Sequence, residues 1–464
     1  RTRPAARKAK IRPQPEPEPP SPEEATEESM EPPTAILETP VSQLPPPPLI
    51  LAPQPPPPPV EPALGKRFWS VPEVIKIILG LVALFALASL GAHHKVRRLE
   101  RKLRISGVIT AGLPFVILGY IASLPSVGVL PDTVLWVLRP VLVLALGWIG
   151  FVVGFRFDAS VIESIQRPVA TAGFFVEAFT FTSILIFCGA LLILVEPSEG
   201  VGTFFRDAIL IASAGSVIAH RGPHVPVRRE GGGRADPIWG IVHLQHLAGI
   251  IGLLIVAAYF RPTDATLMWQ LPGTAWLFIT LGLGTAIGGI VYATLCSVKP
   301  GPDFVVVLLG SVGFAAGIAG FLRLSPIVVC FIAGFILANL PFHTRALVRS
   351  TLVRLERPIY LIFLLVSGSL LRVGEWQGWM IMLLLVAGTI LGRSVAWEVC
   401  RRRHVFVPSN EQKRRLTLAP LGALSVAVAV NAQLLYYGPV ISWLVVGVIG
   451  ASIVTEILVQ FTAR

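Results

Sequence analysis

Charged residues are scarce in this chain: they make up 14% of its 464 residues, whereas hydrophobic residues make up 53%. Soluble globular proteins carry about 25% charged residues, so the composition excludes a soluble enzyme held by a single anchor. It is typical of a polytopic membrane protein, in which most segments are surrounded by lipid or by other apolar helices. The bilayer is therefore the first partner that the sequence indicates.

Cysteine is also scarce, and the sequence lacks the usual motifs of disulfide, metal and nucleotide chemistry. The four cysteines fall in apolar runs at unrelated spacings, so we interpret them as small core residues, neither disulfides nor metal ligands. No glycine-rich nucleotide loop is present, and no motif calls for a cofactor. The net charge of +12 lies in short loops between apolar runs, which indicates membrane topology and no nucleic-acid partner.

Proline is concentrated before residue 70, where 21 of the 41 prolines lie together with glutamate-rich patches. Such a composition cannot bury a core, so residues 1–69 are predicted to form a disordered, locally polyproline-II tail outside the membrane. A tail of this kind is suited to docking a partner, which the sequence does not identify.

Thirteen apolar segments follow the tail, and most are long enough to cross a bilayer. The sequence thus predicts an all-α integral membrane domain over residues 70–464 with about 13 transmembrane helices. The predicted segments are 71–91, 106–124, 133–155, 168–195, 204–220, 238–260, 273–297, 303–322, 325–340, 358–372, 376–399, 416–437 and 439–461.

Basic residues gather in every second loop between these segments. They include the stretch between the first two segments and the predicted loops Arg221–Arg234, Arg345–Arg357 and Arg401–Arg415. Because basic loops stay on the cytoplasmic side, we expect the C-terminus in the cytoplasm and the proline-rich tail outside.

Two of the segments contain small, hydroxylated or proline residues that hold a helix poorly. A pair of interrupted segments in corresponding positions of two halves is typical of an inverted-repeat transporter, whose half-helices end inside the membrane. The alternative is that the small residues allow close helix packing. The residues are Ser213, Gly215 and Ser216 in segment 204–220, and Pro420, Gly422 and Ser425 in segment 416–437.

Three stretches in order resemble motifs of bacterial monovalent cation/proton antiporters, the superfamily of sodium/proton exchangers and Kef-type potassium-efflux proteins. They are VVGFRFDASVIESIQRPVA, LSPIVVCFIAGFILANL and the following IYLIFLLVSGSLLRV. The resemblance covers about residues 70–464. It implies an inverted-repeat antiporter fold with two crossing broken helices, exchange of a monovalent cation for protons, a bacterial inner membrane, and a homodimer or larger membrane complex.

The resemblance also locates an ion site, from which this chain departs. In the family, two adjacent acidic residues, or Asn-Asp, precede a Gly-Ile-Ile-like run and bind the cation or the proton alternately. Aligned on Gly249–Ile251, these positions are Gln245 and His246 in this chain, so both carboxylates are missing. The basic residue that the family carries in segment 376–399 is kept as Arg393.

An arginine at membrane depth needs a balancing charge, because an unpaired one costs several kcal/mol. Glu177, in segment 168–195, is the only acid that we expect well inside a core segment. Under the repeat, this segment and the one with Arg393 flank the site, so we hypothesise that Glu177 pairs with Arg393. The alternative is that Glu177 only hydrogen-bonds a neighbouring helix.

His246 has two interpretations: it can carry a proton near neutral pH, or it can be a buried, hydrogen-bonded histidine in an inactive site. His243 lies three residues earlier on the same helical face, but without a third ligand we predict no metal site. The sequence shows no arrangement for an intramembrane enzyme. Two functions stay open, a transporter with a rewired ion site and a transport-inactive relative that acts as a scaffold, sensor or subunit.

Overall fold

The computed structural model describes residues 108–124, 132–163, 165–195, 200–219, 237–261, 271–299, 301–341, 343–406 and 408–462. The proline-rich tail, the predicted segment 71–91 and the basic loop after it lie outside these residues. So does the whole of the predicted loop Arg221–Arg234, with its immediate flanks.

Most of the described part of the chain is helical, and extended backbone occurs there only in short connections between helices. The helices are α1 (Val108–Ser123), α2 (Asp132–Phe155), α3 (Ala159–Glu163), α4 (Arg167–Val195), α5 (Val201–Ser216), α6 (Pro237–Tyr259), α7 (Gly273–Ser297), α8 (Pro302–Phe321), α9 (Pro326–Asn339), α10 (Arg345–Ser369), α11 (Trp376–Arg402), α12 (Asn410–Thr417), α13 (Ala423–Leu435) and α14 (Pro439–Thr462).

Seven of these helices are long and apolar enough to cross a membrane: α2, α4, α6, α7, α8, α11 and α14. Three shorter apolar helices accompany them, namely the part of α1 from Pro114, α9 and α13. Many of their large apolar side chains face outward, as lipid-facing surfaces do. The chain is therefore an all-α membrane protein.

The predicted segment 358–372 starts too late, because its helix, α10, begins at Arg345. The basic stretch that the sequence places in a loop is the first half of this helix. Arginine and leucine are good helix formers, and Val348 and Leu352 recur at helical spacing on a buried face. The many basic residues of this stretch suggested a loop, whereas the spacing of its apolar residues is that of a helix.

The predicted loop Arg401–Arg415 also contains helical structure. Helix α11 continues to Arg402, and the short helix α12 follows it. Ser409 and Gln412 form a capping box at the start of α12, in which each side chain bonds the backbone N–H of the other residue. This local signal explains why a helix forms in so polar a sequence.

Helix packing relies on backbone contacts at glycines, most of all between α2 and α9. A Cβ atom on Gly334 of α9 would lie 2.4 Å from the backbone oxygen of Phe151, and one on Gly154 of α2 would lie 2.0 Å from that of Phe331. Small residues at helix interfaces in membranes allow this approach. The result is a closely packed α2–α9 pair that supports the apolar core around α7 and α8.

We predict that Gly334→Ala lowers the stability of the protein by about 1–3 kcal/mol, because the added methyl group meets backbone atoms that cannot rotate away. The measurement is the apparent melting temperature in detergent, followed by tryptophan fluorescence. The matched control is Gly289→Ala on α7, where an added Cβ meets nothing within 4 Å. Equal melting temperatures for the two variants would contradict the packing argument.

Candidate functional site

Two short extended pieces of chain, residues 217–219 and 420–422, meet inside the protein; together they are called the crossing here. Ile218 and Leu421 form an antiparallel bridge. The amide of Ala219 donates to the carbonyl of Pro420 at 2.7 Å, and the amide of Gly422 donates to that of Val217 at 3.3 Å. Backbone outside a helix must find such partners at membrane depth, since lipid offers none.

The helices that lead into the crossing are too short to span the membrane. Helix α5 has 16 residues and α13 has 13, which correspond to about 24 Å and 20 Å at 1.5 Å per residue. A bilayer's hydrocarbon core is about 30 Å thick. The C-terminal end of α5 and the N-terminal end of α13 are buried inside the protein, where their peptide dipoles act on the site.

The six residues expected to break helices have different positions relative to the crossing. Ser213, Gly215 and Ser216 lie in the last turn of α5, so the helix is not interrupted at them and the break begins at Val217. Ser213 and Gly215 allow close packing instead. A Cβ on Gly252 of α6 would lie 2.0 Å from the Ser213 hydroxyl oxygen, and one on Gly215 would lie 2.5 Å from Leu385 of α11.

The three residues of the second segment belong to the crossing or adjoin it. Pro420 lacks a backbone donor and cannot continue a helix, and its carbonyl accepts from Ala219. Gly422 is the N-cap of α13. The Ser425 hydroxyl, in the first turn of α13, donates to the backbone oxygen of Ala214. This bond joins α13 to the end of α5.

Arg393 projects from α11 into the crossing and is 1% exposed. Its Nη1 donates to the carbonyl oxygens of Ala419 at 2.8 Å and Thr417 at 3.3 Å. These carbonyls lie at and just beyond the C-terminal end of α12, which carries the negative end of the helix dipole. Its Nε and Nη2 atoms have no hydrogen-bond partner in the described structure.

Glu177 of α4 lies on the side of the crossing that faces α11. The helices approach most closely beside it: a Cβ on Gly392, the residue before Arg393, would lie 2.7 Å from Cα of Thr180, one turn after Glu177. The Ser216 hydroxyl lies within hydrogen-bonding reach of the carboxylate, and the charge of Arg393 acts on it. Among the described residues, however, neither carboxylate oxygen forms a hydrogen bond of regular geometry, and Glu177 forms no ion pair within 4 Å. The expected pair thus consists of neighbouring charges without direct contact.

Gln245 and His246 both lie on α6, and each is buried. Nε2 of His246 is 3.0 Å from the carbonyl oxygen of Ile218. A carbonyl only accepts, so this nitrogen carries the hydrogen in the contact. Gln245 lies one turn before Gly249, on the face of α6 that packs against α5, and its amide atoms have no partner among the described residues. His246 therefore holds the crossing, whereas Gln245 brings an unsatisfied amide to it.

His243 is part of an aromatic packing arrangement outside the crossing. Its ring stacks on Trp239 with 3.6 Å between ring centroids, and its Nδ1 lies 2.9 Å from the Trp239 carbonyl oxygen. The rings of His243 and His246 are 6.0 Å apart. Within the described ranges, no group of three or more His, Cys, Asp or Glu residues is placed to hold a metal ion.

Glu177 is not the only acid buried in a core helix, contrary to the sequence-based expectation. Asp207 of α5 is 3% exposed and Glu456 of α14 is 2% exposed. Asp207 forms an ion pair with the neighbouring Arg206 at 2.7 Å, and that arginine lies 5.2 Å from the ring centroid of Tyr436. Both acids lie near the ends of the predicted segments 204–220 and 439–461, where water or headgroups were expected, but the structure buries them against protein.

Several groups of the site were missed by sequence reasoning. The carbonyl oxygens of Thr417, Ala419 and Ile218 carry no sequence signal, because every residue has one. Trp397 is different: it lies one helical turn after Arg393 on α11, is 1% exposed, and its indole N–H has no partner in the described part of the chain. The i, i+4 spacing from Arg393 was the available signal.

Comparison with known proteins adds nothing to this geometry. No protein-family model matches the chain, and no curated protein matches it. The likeness to cation/proton antiporters is therefore an expectation from the sequence motifs. The chemistry of the site comes from its own groups: one acid, one arginine, one histidine and two helix ends at a pair of backbone breaks.

We predict that removing the arginine alone is more harmful than removing both charges. Arg393→Gln leaves the Glu177 carboxylate buried without its neighbouring cation, which costs about 3–5 kcal/mol. Adding Glu177→Gln recovers part of this loss, with a coupling of about 1–3 kcal/mol. The measurement is a double-mutant cycle on unfolding in detergent.

The control cycle uses Arg156 and Glu356, an ion pair at 2.6 Å that is partly exposed. There the coupling is expected to stay below about 1 kcal/mol. Additive losses at Glu177 and Arg393 would show that the two charges do not stabilise each other.

Proposed function

We propose that this protein is a proton-coupled secondary transporter that works by alternating access at the crossing, with Glu177 as the proton carrier. The observation that carries the proposal is the Glu177 carboxyl group, which is buried inside the protein and forms neither an ion pair nor a hydrogen bond of regular geometry with the described residues. Ionisable groups inside a membrane mark ion or proton pathways, because burying them costs free energy without a compensating stabilisation.

The surrounding architecture supports this function. Half-length helices that end at a shared break are the usual setting of transporter sites, since their dipole ends and unwound backbone face the substrate. Here α5 and α13 both end at the crossing. A rocking motion of the helices around Glu177 would expose the acid to one side of the membrane at a time.

The proposal includes the finer expectations from the sequence. The protein would be a rewired form of a cation/proton antiporter, placed in the bacterial inner membrane with a cytoplasmic C-terminus. Ion pairs support the shared location of two basic regions: Arg156 binds Glu356 at 2.6 Å, and Arg345 binds Asp158 at 2.6 Å. The end of α2 and the start of α10 therefore meet on one side, as the positive-inside rule requires.

One observation favours a second candidate function, a transport-inactive relative. Several carbonyls at the crossing and just before it, which could ligate a cation, already accept bonds from Arg393, His246 and backbone amides. A site filled by its own side chains fits a scaffold or subunit of a membrane complex, with the proline-rich tail as the docking arm. Proton flux distinguishes the two functions.

We predict that the full chain in proteoliposomes relaxes an imposed pH gradient when sodium, potassium or lithium chloride is added. An internal pH dye reports the flux, and valinomycin with potassium clamps the membrane potential. Glu177→Gln is expected to reduce the rate to that of empty liposomes, because the amide cannot carry a proton. Glu398→Gln on α11, whose carboxylate bonds Arg401 and Arg402 at the helix end, should keep the wild-type rate. Absence of wild-type flux with all three salts would favour the inactive relative.

We predict that His246→Gln keeps this proton flux, whereas His246→Leu lowers stability by about 1–3 kcal/mol. Glutamine has an N–H that can replace the Nε2–H bond to Ile218, but it does not titrate. Leucine leaves the Ile218 carbonyl without that donor. Flux and melting temperature are measured for both variants. Loss of flux in a stable His246→Gln protein would make His246, and not Glu177 alone, a proton carrier.

A further inference from the structure

Several backbone oxygens at the crossing and just before it already accept hydrogen bonds, whereas the amide oxygen of Gln245 has no partner among the described residues. Arg393 binds the carbonyls of Thr417 and Ala419, and His246 binds that of Ile218. Backbone amides bind the carbonyls of Val217 and Pro420. An alkali cation needs several oxygen ligands at once. At these carbonyls it would have to displace the donors, including a guanidinium that carries its own positive charge, and without them the described residues offer it chiefly the side-chain oxygens of Glu177 and Gln245.

The site also contains hydrogen-bond donors without partners, which favour an anion as the ligand. Two nitrogens of Arg393, Nε and Nη2, have no partner among the described residues, and the same holds for the indole N–H of Trp397. Both side chains are 1% exposed. They lie at i and i+4 on α11, so they share one face of the helix. Trp397 packs in the same apolar cluster as Leu416 and Ala419, beside the carbonyls that hold the guanidinium.

We propose that this site binds a small monovalent anion between Arg393 and Trp397, and that the anion binds together with a proton on Glu177. The substrate class is a halide, nitrate or small carboxylate, which accepts bonds from the guanidinium and the indole. The inference rests on the proposed function, because it names the ion that would move with the proton.

Charge balance explains why the proton and the anion bind together. A site at membrane depth is most stable when its charges sum to zero. Without a ligand, the ionised Glu177 balances Arg393. With an anion bound, Arg393 is balanced by the anion, and Glu177 is neutral only when protonated. A cation beside ionised Glu177 and Arg393 would instead leave a net charge of +1. The site therefore favours movement of an anion and a proton in the same direction.

The groups around Glu177 limit what else could titrate with the anion. Helix α4 packs against α5, α6 and α11. On α11 the charged group beside Glu177 is Arg393, and α5 presents Ser216. Helix α6 carries His243 and His246, both buried. Any pH dependence of anion binding has to be separated from these two histidines by variants.

The test is calorimetric titration of the full chain in detergent with sodium chloride, sodium nitrate and sodium formate, each at constant sodium and ionic strength in sodium gluconate. Wild type is expected to bind at least one of the three anions saturably. Its affinity should increase about tenfold for each pH unit lowered, over the range where one proton is taken up per anion. His246→Gln should keep this dependence.

Glu177→Gln gives the sharpest result, because the amide resembles the protonated acid. This variant is expected to bind the anion at every pH with at least the low-pH affinity of wild type. Removal of the acid abolishes binding at a cation site, so the two models predict opposite signs. Trp397→Phe should weaken anion binding severalfold, and the matched control Trp376→Phe, at an exposed position, should not. Arg393→Lys should also weaken it relative to Arg354→Lys on α10.

The outcomes separate this inference from the proposed function. Anion binding with these variant effects but without proton flux would support the anion site and contradict transport. Proton flux that depends on Glu177 and is driven by sodium or potassium gluconate would support transport and overturn the anion site. No saturable anion binding by wild type between pH 5 and 8 would also overturn it, as would loss of binding in a folded Glu177→Gln protein.

Discussion

The site depends on one buried guanidinium. A central arginine in a transmembrane helix costs about 2.5–3.5 kcal/mol on insertion scales, and Arg393 is almost wholly buried. Its cost is offset by two carbonyls at the end of α12 and by the neighbouring charge of Glu177. A continuous helix through residues 417–419 would use those carbonyls in its own hydrogen bonds. The break before α13 therefore provides what the arginine needs, and the arginine in turn stabilises the break.

The break after α5 is also stabilised by hydrogen bonds to its backbone groups. Residues 217–219 leave the helical conformation. The amide of Ala219 and the carbonyl of Val217 bond to residues 420–422, and the carbonyl of Ile218 accepts from His246. Each break thus provides hydrogen-bond partners for the other. Close approach of α4 to α11 at Gly392, and of α6 to α5 at Gly252, brings the acid and the histidine to the same place. The small residues act as packing surfaces, and the polar side chains act on the exposed backbone.

Sequence reasoning reached the helical membrane class because apolar length and low charge determine it directly. It also expected Glu177 to pair with Arg393, since few charges occur deep in apolar segments; the structure shows an influence of one charge on the other but no ion pair among the described residues. It placed the break in α5 too early, because glycine and serine weaken a helix but tertiary pairing decides where it ends, here at the β-branched Val217 and Ile218. It missed the first half of α10, where basic residues on one face concealed an apolar face. The carbonyl ligands could not be predicted, since only the fold decides which backbone oxygens are left unpaired.

Whether the buried basic residue is an arginine or a lysine determines which ion could be coupled to the proton in the proposed transport. A lysine in this position could lose its proton when buried, and the site could then become neutral without binding another ion. An arginine keeps its charge under all ordinary conditions. Neutrality then depends on Glu177, which can be protonated only if another negative charge takes its place beside Arg393. In a cation/proton exchanger a carboxylate alternates between a proton and a cation. Under the proposed coupling, the always-charged guanidinium of Arg393 plays the part of the bound cation, so the ion that restores neutrality when Glu177 is protonated is an anion.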